Sequence, residues 1–434
     1  MSITGIGVTA GSAVAKSTII VTTKAGSTVT CSKSGVTKTA TEKNGQWWFN
    51  NIDNGTWTVS AVNGGITKTQ SVEVTKFDVY YVEVDFPKIY GISRDISTAS
   101  SAWARTDDAI GMTATASVGT VEGHSDFDLC YPWSGIERET LSTNDVMVKI
   151  PKFYFRRYRE SNIEHIEIAD EQLSGFKLHP AFNHSGQESS YIYVGAYVTS
   201  QQNKSLSNQA PTDNASRSTM RSNAKLKGTN WGLIDISTLS AIQMLILVEF
   251  ANNNVQSVIG RGYCDNTDQT LLSTGSTDNV ANLTGRGAGT DGLTNVVWRG
   301  IEGLWGNVNQ WIDGVNANGA TYYVCNNPSL YTDNSSSGYS SLSFMGSSWL
   351  DAYITEEGLD SAENEHVFLP SAANGGSDST YYCDTTLIMS GSWGGLMHGG
   401  NYSTGSSDGL FKTWFMTATI PQNGTGSRLL YIPS

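Results

Sequence analysis

The chain has 434 residues and a formal net charge of −13, long enough for two or three domains with ample sequence for a large core. That acidic balance argues against a phosphate-tracking nucleic-acid binder, which needs clustered lysine and arginine. Forty-five glycines against nine prolines, with 10% aromatic residues, argue against disorder and for a turn-rich, β-leaning fold with polar loops.

The first residues, MSITGIGVTAGSAVAKS, carry no basic stretch followed by an apolar core, so no export signal is expected. Residues 17–86 alternate short strand-like runs (TIIVTT, STVTCS, QWWFN, WTVSAV, VYYVEVDF) with Asn-Gly turns, the pattern of an antiparallel sandwich. NGQWWFNNIDNGTWTVSAV resembles the carboxypeptidase-regulatory-like module. In that reading Trp48 and Phe49 straddle a sheet and Trp57 packs the core. The rival is a carbohydrate-binding face made by Trp47 and Trp57; a spacer or assembly role is preferred. The expected division is 1–87 for this all-β Ig-like or carboxypeptidase-regulatory-like sandwich and 88–434 for a second domain.

In the second domain, MVKIPKFYFRRY reads as a strand, with Val148, Ile150, Phe153 and Phe155 apolar and Pro151 marking an edge or bulge. Arg156, Arg157 and Arg159 are the one local basic cluster, expected on a solvated strand face or against an acidic partner subunit. GFKLHPAF and SSYIYVGAYVTS add two strands, with His179 structural. TMRSNAKLKG reads as a short helix ending at Gly228. STLSAIQMLILVEFANNN spaces Leu239, Ile242, Leu245 and Ile246 helically, with Ser237 or Thr238 as cap. The apolar run at 241–251, broken by Gln243 and Glu249, falls far short of the roughly 20 residues of a membrane helix.

Residues 266–295 form a long polar stretch, and loops of that length are functional or mobile. Asp265, Asp268, Asp278 and Asp291 supply hard oxygens of the kind calcium takes, without EF-hand spacing; no other cofactor is expected. The acidic run DAYITEEGLDSAENE at 351–365 reads as a solvated loop. Five cysteines fit no CxxC pattern; Cys325 and Cys383, in YYVCN and YYCD, either pair or remain two buried thiols.

Residues 298–314, WRGIEGLWGNVNQWIDG, hold three tryptophans and four glycines. That density suits neither a plain helix nor a plain strand, and the stretch reads as a knot of turns anchoring the core. GLWGNVNQWIDG resembles the G-N-V-W-E-W motif of the formylglycine-generating-enzyme type of C-type-lectin fold. SGSWGGLMHGG, GLFKTWF and GSRLLY, within 390–431, are similar to the closing segment of phage proteins with that fold, the variable proteins of diversity-generating retroelements among them. The resemblance spans roughly 90–431. It implies an α+β, C-type-lectin-like domain whose closing segment forms the ligand-binding face of a phage tail or virion receptor-binding protein. It further implies a homotrimer outside the cell, contacting other virion proteins and a host cell-surface protein or glycan, with neither nucleic acid nor membrane insertion.

WGGLMHGGNYSTGSSDGLFKTW, residues 393–414, has paratope-like chemistry: rings give stiff contact area and small polar groups give adaptable hydrogen bonds. The candidate contacts are His398, Asn401, Tyr402, Ser403, Thr404, Ser406, Ser407, Asp408, Lys412 and Trp414, with Leu410, Phe411 and residues 426–429 as buried framework. Adenine-directed diversification of Asn-type codons cannot yield Met397, Lys412, Trp414, Met416 or Gln422, so these are framework or the chain is a non-diversified relative. Enzyme readings are weaker: there is no closely spaced cysteine pair, no G-x-S-x-G elbow and no G-x-x-x-x-G-K-[ST] loop. A glycoside hydrolase would need two carboxylates about 5 to 10 Å apart in a cleft.

Overall fold

The computed structural model describes residues 16–360, 363–388 and 392–433. The chain divides into two compact units between Pro87 and Lys88. It is mostly β, 42% strand against 11% helix, so sheets supply most of the core walls.

The first unit contains β1 (Ser17–Thr23), β2 (Thr28–Lys33), β3 (Val36–Thr39), β4 (Thr41–Lys43), β5 (Gln46–Ile52), β6 (Gly55–Asn63), β7 (Ile66–Val74) and β8 (Val79–Val84). They make two four-stranded sheets, β4-β5-β1-β8 and β3-β2-β6-β7, sharing one apolar core. The pairing is not antiparallel throughout: β1 and β8 run parallel. The chain visits the other sheet between them, which gives it the crossover that a parallel pair requires. Period-2 alternation turns Trp47 and Phe49 of β5 inward, while Trp48 is half-buried. Trp47 and Trp57 are both buried in the core, so they do not form a carbohydrate platform.

In the second unit, α1 (Arg217–Lys225) is capped by Ser216, whose side chain accepts from the Thr219 amide, and it ends before Gly228. α2 (Ile236–Phe250) is buried at all its positions, which explains its nearly continuous apolar sequence. Its cap is Asp235, not Ser237 or Thr238; the Asp235 carboxylate accepts the Thr238 amide at 2.8 Å. MVKIPKFYFRRY forms two strands, Val146–Pro151 and Tyr154–Glu160, in separate five-stranded sheets. Arg156, Arg157 and Arg159 pair within the chain with Glu167, Glu164 and Glu356; Arg157 is buried, whereas Arg156 keeps 39% of its side chain in solvent. The glutamates sit across the hairpin and on the Trp349–Glu357 strand, a long-range match that a local charge count misses.

The stretch 298–314 begins in turns but ends in a strand. Asn309–Asn318 is buried at every position except the last and lies inside the nine-stranded sheet. Its register against Trp393–His398 shifts between Ile312 and Asn316, around Gly314 at φ +72°. A side-chain carbon on Gly314 would lie 2.7 Å from the Cys325 carbonyl, so glycine is what lets this strand bulge. Trp298, Trp305 and Trp311 are fully buried, and their indole N–H groups donate to Glu249, the Gly260 carbonyl and the Ala215 carbonyl.

Candidate binding face

Trp393–His398 lies between Asn309–Asn318 and Thr413–Met416 and pairs antiparallel with both. Strand alternation sends Leu396 and Phe415 to the large core around α2. Met397 and Trp414, directly opposite one another, pack instead in a smaller cluster with Trp311 and with Met220 of α1. The connection between the two strands, residues 399–412, carries most of the candidate contacts.

Buried groups fasten this connection from below. The Tyr402 carbonyl accepts the Asn266 amide at 2.8 Å, and the Gly405 amide donates to the Cys264 carbonyl at 2.9 Å. The Leu410 carbonyl accepts Gln243 Nε2 at 2.9 Å and meets His398 Nε2 at 2.7 Å. Asp384 Oδ2 accepts the Phe411 amide at 2.7 Å, and Asp408 Oδ2 accepts the Thr404 hydroxyl at 2.7 Å. Within the loop, Asn401 organises a turn: its Oδ1 accepts the Ser403 amide at 3.1 Å. Gly400, at φ +77°, is required here twice over, since a side-chain carbon on it would sit 1.7 Å from the Asp408 carboxylate.

The ten candidate residues therefore separate into two groups. Ser403 is exposed, and Asn401, Tyr402, Thr404, Ser406 and Ser407 are partly exposed, along one continuous loop. Trp414 is half-buried in its apolar cluster, with the Lys412 ammonium 4.7 Å from its ring centre. His398, Asp408 and Lys412 are buried and are corrected from contact to base. Their polarity suggested a surface, but each is committed internally: His398 to Leu410, Asp408 to Thr404, and Lys412 to Asp351 at 2.8 Å and to Thr385. Leu410, Phe411, Ser427, Arg428 and Leu429 are buried as well. Arg428 joins Gln310 to the carbonyls of Gly195, Glu302 and Gly303.

The base has unusual electrostatics. Burial pushes the Asp408 carboxyl up to about 8, against the pull of Lys412. Burial also raises the neighbouring Asp384 well above the carboxylate range, and Asp408 adds to that. Burial works to raise Asp351 too, but the Lys412 ammonium and hydrogen bonds from Lys412, Thr385 and Trp414 together hold this carboxyl below its ordinary value. His398 is lowered to about 4 by burial, so it is neutral at pH 7. Sequence reasoning missed Asp351 and Asp384. Nothing local distinguishes them, because their role comes from contacts 61 and 27 residues away in the chain.

The calcium candidates do not converge. Asp265 accepts from Arg261 at 2.8 Å, Asp291 accepts the Arg261 amide at 2.8 Å, and Asp278 is held by Arg138, Tyr197 and Ser207. Among the described residues no three His, Cys, Asp or Glu side chains come together as a metal site. The 266–295 stretch is tied down, with the Glu302 carboxylate accepting the Gly275 and Thr277 amides. The acidic run begins as a strand, Trp349–Glu357, in which Glu357 is buried; residues 361 and 362 lie outside the described residues. All five cysteines are free, so Cys325 and Cys383 do not pair.

No protein-family model matches the chain, and no curated protein is similar to it.

Proposed function

We propose that the chain is a phage tail or virion receptor-binding protein whose second unit is a C-type-lectin-like domain presenting residues 401–407 to a host cell-surface protein or glycan. One observation carries the binding part: a small-polar loop with a single tyrosine is partly exposed along its length and clamped beneath by buried hydrogen bonds. A loop held this way loses little conformational entropy when it meets a ligand, and its hydroxyl and amide groups suit varied partners. The loop's hydroxyls are engaged within the fold, Thr404 on the Asp408 carboxylate and Ser407 on the Thr404 carbonyl. The thiols are poor nucleophiles, because burial raises Cys264 and pushes Cys383 up to about 12. These features favour binding over catalysis.

The phage setting, the lectin-type fold, the homotrimer and the contacts with other virion proteins rest on the resemblance of residues 303–314 and 390–431. A trimer would multiply weak single-site contacts into useful avidity. No helix among the described residues is long and apolar enough to cross a membrane. The test is adhesion of the purified chain to host cells, comparing wild type with a Ser403→Arg, Ser406→Arg double variant. Both side chains lie outside the buried base, so the melting temperature is expected to hold while adhesion is lost. Full adhesion by the folded double variant would remove this loop from the binding site.

A further inference from the structure

A cleft of about 840 Å³ opens in the second unit, and none of the ten candidate contacts lines it. It lies between the C-terminal end of α1, the Trp231–Leu233 strand, the Asn183–His184 and Gln187–Glu188 hairpin, and the turn that ends at Tyr331. Its volume is in the range of small-molecule sites, roughly 300–1,000 Å³. Leu226, Leu233, Leu430, Ile432 and Pro433 make much of its wall apolar. Leu226 stands 85% exposed at the rim.

The polar groups of the cleft differ in what they still offer. Its carboxylates are engaged, Glu188 at the rim by the Lys152 ammonium. Asp313 takes a two-pronged contact from Arg221, and Asp235 takes the Thr238 amide, His184 Nε2 and the Tyr331 hydroxyl. The last carbonyls of α1 are likewise met by the amides of Leu226, Lys227 and Gly228. Its donors are only partly filled: Arg221 is taken up by Asp313 and Asp333, and Lys227 by Asp145 and the Asn203 carbonyl, but two others are not. Among the described residues the Lys225 ammonium has no ion pair and the Trp231 indole N–H has no acceptor. Buried His184, whose Nε2 donates to the Asp235 carboxylate, leaves Nδ1 without a partner as a further polar atom of the wall. A ligand bringing donors or positive charge would find no vacant acceptor in Asp235 or Asp313, whereas one bringing an anionic head and an apolar body would match what remains.

The geometry points to a second binding site in this cleft, for a small amphipathic organic anion whose hydrocarbon or aromatic body lies on the apolar wall and whose carboxylate or sulfonate meets Lys225 and Trp231. The site is independent of the 401–407 loop, so either can fail without the other.

The probe is 8-anilinonaphthalene-1-sulfonate, titrated against the full chain by fluorescence, with sodium decanoate as competitor. The expected result is saturable one-site binding that decanoate displaces, weakened at least tenfold by Lys225→Glu and by Leu226→Asp. Both positions are exposed, and an unchanged melting temperature shows that each variant is folded; Lys225→Gln serves if Lys225→Glu is not. Absence of saturable binding, or identical titrations for wild type and variants, overturns the proposal. So does a dimer in sedimentation that these variants split, because the cleft would then be covered by a second copy of the chain.

Discussion

Asp408→Asn should change how stability depends on pH, and the size of the change follows from the site. Asp408 is fully buried, its Oδ2 accepts the Thr404 hydroxyl, and its carboxyl titrates at about 8 in the fold against an ordinary value of 3.8. A folded value above the unfolded one means that the carboxyl's stabilisation is complete below pH 4 and is lost as pH rises towards 8. Across that window the folded chain holds a proton that the unfolded chain has released, so stability falls by about 1.4 kcal/mol for each pH unit from this group. Between pH 4 and pH 7 the loss approaches roughly 4 kcal/mol. Asparagine keeps the shape and the Thr404 contact without titrating. Urea unfolding of wild type and variant at pH 5, 6.5 and 8 should show the variant gaining on the wild type as pH rises. Glu357 is present in both proteins and drops out of the comparison, whereas Asp384 is raised in part by Asp408, so the difference between the profiles reports these two coupled carboxyls. Parallel pH profiles would show that Asp408 is not held protonated beneath the loop.

Further substitutions probe the base and the core. Gly400→Ala forces a side chain into φ +77° and against Asp408, and should lower stability by about 1–3 kcal/mol or more, read as a shift in the urea midpoint. Trp414→Ala should cost roughly 2 kcal/mol, less than a fully buried ring, because Trp414 packs beside Met397 as well as facing outward; adhesion data on this variant need a matched stability measurement. Arg428→Met leaves the carbonyls of Gly195, Glu302 and Gly303 without their donor and should destabilise by about 3–5 kcal/mol in the same assay.

Local pattern made parts of this molecule readable. Asn-Gly turns and period-2 alternation announce the strands of the first unit, and helical spacing announces α2. The tryptophans at 298, 305 and 311 mark a buried centre, since few other places accommodate so much ring area beside glycine. What the sequence hides is pairing at a distance. The parallel β1–β8 contact depends on which sheet the chain has visited in between, and the arginines of 156–159 find glutamates that no window around them contains. The same limit divides the candidate face. Residues 401–407 read as a polar loop and are one, whereas His398, Asp408 and Lys412 read as polar surface and are buried, because Leu410, Thr404 and Asp351 satisfy them. Burial of a polar side chain is decided by its partner, and composition does not name the partner.

Hydrogen exchange of the full chain, alone and adhering to host envelope fragments, locates the contact directly. Amides of residues 401–407 are predicted to gain protection on binding, while the lining of the 840 Å³ cleft and the sandwich strands stay as they were. Protection appearing elsewhere, with 401–407 unchanged, would contradict the claim that this loop meets the receptor.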